Sequence, residues 1–247
     1  MFLLLFMLSC TSSPEKAKEI RENIEWLDVW ITHNNDQDLP KVLLIGNSIV
    51  MSYYGKVEEQ LKGKAYVSRL ATSKSIGDSA LLDEIALVLK SSHFDVIHFN
   101  NGLHGWGYSE DEYQKAFPLF LQVIKDNAPR AKLIWASTTP VRMGENMQEF
   151  DPKVERIIQR NHIAKEIIQR EDIIFNDLFS FVKNHPEYYA GGDGTHLVPK
   201  GVDAVSQEVT KVLLSTLNNR FSMNTNQKSK KPQTPKGAFQ EKVERIK

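Results

Sequence analysis

KVLLIGNSIV, residues 41–50, decides the fold. Val42, Leu43, Leu44 and Ile45 form an unbroken apolar run, the signature of a strand covered on both faces. Gly46-Asn47-Ser48 stops the run, and a helical pattern starts at once. Ser48 then has two readings. It caps the helix, as serine commonly does, or it is a nucleophile raised at the edge of a sheet, where first-turn N–H groups are free to hold an oxyanion.

The same unit recurs outward from this stretch. Further strands are expected at 65–70, 94–99, 133–136 and 173–175, after the first at 42–45. Helices are expected at 48–61, 78–90, 109–127, 154–170, 177–183 and 199–217. Asp78 reads as an N-cap, Ser109-Glu110-Asp111-Glu112 as a capping box, and Pro118 as a kink. Before the first strand, Ile20, Ile24, Leu27 and Ile31 fall at helical spacing, which predicts a helix over 15–33. Alternating strands and helices predict an α/β fold: a three-layer α/β/α sandwich with a central parallel sheet of about five strands. Right-handed crossovers bring the strand C-termini to one edge, where ligands of such sheets bind.

The chain has 247 residues, with 31 basic and 31 acidic side chains and no net charge. That balance gives no reason to expect a nucleic-acid partner. Cys10 is the one cysteine, which excludes an internal disulfide and a Cys-rich zinc site. His93, His98 and His104 do not share a metal-binding spacing, so no metal is expected. No phosphate-loop pattern and no G-x-G-x-x-G follows a strand, which argues against a nucleotide binder, and no cofactor is expected.

The N-terminus reads MFLLLFMLSC. The apolar run is too short to span a bilayer and is similar to the core of a secretory signal. Leu8-Ser9-Cys10 resembles a bacterial lipobox, which implies a lipid on Cys10, a membrane partner and a place in the cell envelope. The other reading is an apolar N-terminal piece of the fold. The expected division is therefore a signal and tether over 1–13, one domain over 14–218, and a basic, mostly disordered tail over 219–247.

Three places after the strands carry chemistry. Ser48 is the first. The loop Asn100-Asn101-Gly102-Leu103-His104-Gly105-Trp106-Gly107 is the second. Its amides suit an oxyanion hole, or its glycines and asparagines simply make a turn. His104 contacts substrate, competes as the base or has a local partner; Trp106 stacks on a sugar or packs on the fold. The third is Asp193-Gly194-Thr195-His196, in which an aspartate can accept from a histidine Nδ1–H and leave Nε2 to take a proton. Arg142, after the fourth strand, binds a substrate group or is a solvated surface arginine.

Taken in this order, the motifs resemble those of the SGNH/GDSL hydrolase superfamily over roughly residues 39–217. Gly46-Asn47-Ser48 matches the first block, usually Gly-Asp-Ser, and Asp193-x-x-His196 matches the last. The resemblance implies a flavodoxin-like fold, with Ser48 as nucleophile, His196 as general base then acid, and Asp193 as its orienter. It implies an oxyanion hole from the N–H of Ser48, the N–H of Gly77 and the amide of Asn100, with Asn101 as the second choice. The third block is usually Gly-x-Asn-Asp, and this chain departs from it. The implied activity is hydrolysis of a small acyl ester, such as an acetyl group on a carbohydrate. The alternative is a catalytically silent envelope protein of this fold that binds glycan.

Overall fold

The computed structural model describes residues 19–229. Its elements in chain order are β1 Leu27–Trp30, β2 Lys41–Gly46, α1 Ser48–Gln60, β3 Tyr66–Thr72, α2 Ser79–Ser91, β4 Val96–Phe99 and α3 Glu110–Asn127. They continue with β5 Lys132–Ala136, α4 Val154–Gln169, β6 Ile174–Asn176, α5 Leu178–Val182 and α6 Pro199–Ser229. Cys10 and the expected tether lie outside the described residues.

The sheet has six strands in the order β1-β3-β2-β4-β5-β6. The five expected strands pair in parallel, and β1 adds an antiparallel edge to β3. Val42 and Leu44 face one core with α1, α5 and α6. Leu43 and Ile45 face the other with α2, α3 and most of α4. Every residue of β2 is buried, as its unbroken apolar run requires of a central parallel strand. The capping box at Ser109 and the Asp78 cap are both present, and α3 runs through Pro118.

Two expectations need correction. Residues 19–33 are not a helix. They run as irregular chain into β1, whose Leu27 to Trp30 pair with Thr72 to Arg69. Ile24 is 79% exposed, so the helical spacing of isoleucines marks no buried face. Glu22, Trp26 and Asp28 are half-buried instead, while Leu27 between them is exposed. At the other end, α6 passes the expected stop at Leu217 and continues to Ser229.

Candidate active site

Strand β2 turns straight into α1, and the turn needs glycine. A Cβ on Gly46 would lie 2.3 Å from the Val50 Cγ2. The helix cap falls to Asn47, whose Oδ1 accepts from the Ile49 N–H at 3.0 Å. The capping reading of Ser48 is thus corrected. Ser48 is the first helical residue, and its hydroxyl is left for another partner. Its N–H, one of the free donors of a first turn, has no acceptor among the described residues.

That partner is His196. Its Nε2 lies 2.9 Å from the Ser48 Oγ, and its Nδ1 lies 2.6 Å from the Asp193 Oδ2. The other carboxylate oxygen accepts from the N–H of Thr195 at 2.8 Å and of His196 at 3.0 Å. Partial burial pushes the Asp193 carboxyl up, but these N–H groups and the imidazole hold it below the usual carboxylate range. An ionised carboxylate on Nδ1–H fixes the tautomer and turns the Nε2 lone pair toward the serine hydroxyl.

Backbone contacts hold this loop. The Ala190 N–H donates to the His196 carbonyl at 2.7 Å, and the Arg142 N–H to the Gly194 carbonyl at 2.8 Å. Gly194 has φ +64°, and a Cβ there would strike the Arg142 carbonyl. A Cβ on Gly144 would likewise come within 2.5 Å of the Gly192 carbonyl oxygen. The Arg142 side chain is neither a substrate contact nor a surface cation. It is 3% exposed, donates to the carbonyls of Met147 and Lys183, and lies over Phe150 and Tyr189. Both readings of Arg142 are corrected: it anchors the segment on which the Asp193 loop rests.

The loop after β4 departs from expectation at Asn100. Both hydrogens of its amide are used inward, on the Ala136 carbonyl at 2.6 Å and the Thr138 Oγ1 at 3.0 Å. Flipping the amide would set its oxygen against the Ala136 carbonyl. Asn100 therefore has no amide hydrogen left for an oxyanion. Asn101 has one: its Nδ2 donates to the Lys74 carbonyl at 2.9 Å, and its Oδ1 accepts from the Ile76 N–H at 3.3 Å. These bonds join Asn101 to the turn that carries Gly77, where a Cβ would come within 2.9 Å of the Tyr108 ring. Among the described residues, the Gly77 N–H has no acceptor.

His104 has a local partner. Its Nδ1 is 3.5 Å from Glu22, and Trp26 meets its ring edge-on. Burial lowers its pKa, against the pull of Glu22, and it is near enough to His196 for that ring to lower it further. Trp106 is no open platform, because Arg160, Arg156 and Lys153 all lie over its ring.

Sequence reasoning missed what holds this loop in place. Arg160 is 1% exposed and donates to the carbonyls of Gly102, His104 and Gly105. Arg156 donates to those of Trp106 and Tyr108. From the front, residues 19–26 lie across the loop as a strap. The Ile20 N–H donates to the Tyr108 hydroxyl at 2.7 Å, Glu22 accepts from the Gly105 N–H at 2.9 Å, and Trp26 bonds to Ser73. A signal existed for Arg160. It sits on the buried stripe of α4 with Val154, Ile157, Ala164 and Ile168, and a cation on such a stripe must be paired.

No protein-family model and no curated protein matches the sequence. Solved structures do match by shape. A carbohydrate esterase family 3 protein from Talaromyces cellulolyticus superposes with a TM-score of 0.61 at 16% identity, over 73% of this chain and 99% of that one. A putative acylhydrolase from Bacteroides fragilis gives 0.58 at 18% identity, over 76% and 95%. An acetyl xylan esterase gives 0.54 at 20% identity, over 70% and 98%. With its six-stranded, mostly parallel sheet between helical layers, the chain has the fold of the SGNH/GDSL-type hydrolases.

Proposed function

We propose that this protein is a serine esterase that removes a small acyl group, such as acetyl, from a carbohydrate. One observation carries the reading: the line Asp193 Oδ2, His196, Ser48 Oγ, with contacts of 2.6 and 2.9 Å. A nucleophile, a base and an orienter within hydrogen-bond reach are what acyl transfer needs. Esterases and acylhydrolases among the proteins of similar shape support it.

The chemistry follows from the geometry. His196 Nε2 takes the Ser48 proton as Oγ adds to the ester carbonyl. The oxyanion is held by the N–H groups of Ser48 and Gly77 and by the Asn101 amide, in place of Asn100. Collapse of the intermediate breaks the bond to the alcohol, which leaves with the proton from His196. Water, deprotonated by the same imidazole, then attacks the acyl-enzyme and releases the acid and free Ser48. A lipid on Cys10 would hold this reaction in a bacterial envelope, a reading supported by the Leu8-Ser9-Cys10 sequence. Metabolic labelling with an alkyne fatty acid tests it, with Cys10→Ala losing the label.

The direct test of the enzyme is a fluorophosphonate probe followed by peptide mass analysis. One adduct on Ser48, lost in His196→Ala, is the expected result. Folded protein that takes no adduct would instead favour the silent glycan-binding reading.

A further inference from the structure

A trough of about 660 Å³ runs along α1, away from Ser48. Its floor is the solvent face of the helix. Ser48, Ser52, Gly55 and Glu59 follow one another at helical spacing on that face, and Met51 flanks them. From Ser48 to Glu59 is roughly 16 Å at the helical rise. Leu197, next to His196, stands in one wall with Pro199 and Val202 of α6. The other wall is Tyr54 with Arg69, whose guanidinium lies 4.5 Å over the Tyr54 ring. Beyond Arg69 stands Trp30 of β1, 56% exposed.

Gly55 has no explanation within the fold. It sits inside a 13-residue helix, where glycine is less favourable than alanine. Its φ is ordinary, and an added Cβ would meet nothing within 4 Å. Neither packing nor backbone geometry asks for glycine there. A ligand laid on the helix would make use of it, since glycine permits close approach to the backbone.

The lining selects the ligand. Arg69 is already paired with Asp28 at 2.5 Å, and Lys56 with Asp203 at 3.4 Å. Glu59 and Asp203 in the same lining balance the two cations, so the trough offers a polyanion little net charge. A long acyl chain would desolvate Ser52, Lys56, Glu59 and Asp203 without replacing their hydrogen bonds. Flat apolar patches interrupted by polar groups suit rings with one apolar face and a hydroxyl rim.

We propose that the trough binds the alcohol half of the ester as a neutral oligosaccharide, with the acylated sugar at Ser48 and further rings along α1. This rests on the esterase reading above and names the substrate class for it. The test compares acetylated xylo- and manno-oligosaccharides with the corresponding acetylated monosaccharides. For the natural protein, kcat/KM is expected to be at least tenfold higher on a tetramer than on a monomer. Gly55→Phe, which fills the floor, should bring that ratio close to one through KM, and Gly55→Ala should lower it less. A ratio near one in the natural protein on both sugar series overturns the proposal, as does a ratio that Gly55→Phe leaves intact. Ser48-dependent turnover of 4-nitrophenyl acetate separates the two failures. If that turnover is absent, the esterase reading falls by itself. Calorimetric titration with the unacetylated tetramers then decides the trough: binding lost in Gly55→Phe supports it, and no binding to the natural protein overturns it.

Discussion

The two loops that meet at Ser48 are held in opposite ways. The loop of Asp193 and His196 organises its own side chains: Asp193 bonds to Thr195 and His196, two and three residues on. The loop of Asn100 to Tyr108 organises almost nothing itself. Its carbonyls go to Arg160 and Arg156, about 50 residues later, and its Gly105 N–H and Tyr108 hydroxyl go to the strap, more than 80 residues earlier. The side-chain pair of the first loop is most sensitive to change within its own four residues, although its backbone rests on Arg142 and Gly144. A loop held from outside behaves the other way.

Substitutions can break this contrast. The largest effect is expected for Asp193→Asn. It keeps the shape but favours the wrong tautomer of His196, and kcat should fall by about 10⁴ with little change in melting temperature. A comparable loss of stability would mean that the Asp193 loop also supports the fold. Arg160→Ala should do the reverse. It strips three carbonyls of a buried cation and leaves Glu110 with one fewer partner, at a cost of about 3–5 kcal/mol in denaturant unfolding.

His98 tests the strand beneath the second loop. It is fully buried against Asn176, and burial lowers its pKa to about 4. Its folded pKa lies below the unfolded value, so the stabilisation from keeping it neutral is whole above pH 6.5. It falls as pH drops toward 4. The loss should reach about 3 kcal/mol, and His98→Leu should flatten that slope. The smallest effect is expected for Glu22→Ala, which frees the Gly105 N–H and one side of His104 at a cost of about 1 kcal/mol. Thermal melts and kcat/KM measured together would show whether the strap steadies the loop, the reaction or both.

The same contrast explains what the sequence made legible. The central strands were legible because the apolar runs of β2 and β4 are buried on both faces, and the contact between Asp193 and His196 was legible because the two are neighbours in the chain. Ser48 was ambiguous until Asn47 was seen to take the cap. The strap did not read at all. Its isoleucines imitate a helix, whereas its contacts, Glu22 with Gly105 and Trp26 with Ser73, are long-range. Asn100 and Asn101 are adjacent and chemically alike. Only the positions of Ala136, Thr138 and Lys74 distinguish them, and spacing carries no trace of those.

The strap also has a consequence for the order of folding. Residues 19–26 precede every strand, yet the groups that receive them, Ser73 and Tyr108, belong to chain made 47 and 88 residues later. Closing loops of that length costs entropy before any contact returns it. The strap is therefore expected to dock late, after β3 and β4 have each paired with β2. A newly made chain would hold a formed sheet, and an Asp193 loop seated on Arg142 and Gly144, before the loop facing Ser48 is secured. Competence would come with a segment that the ribosome finished long before.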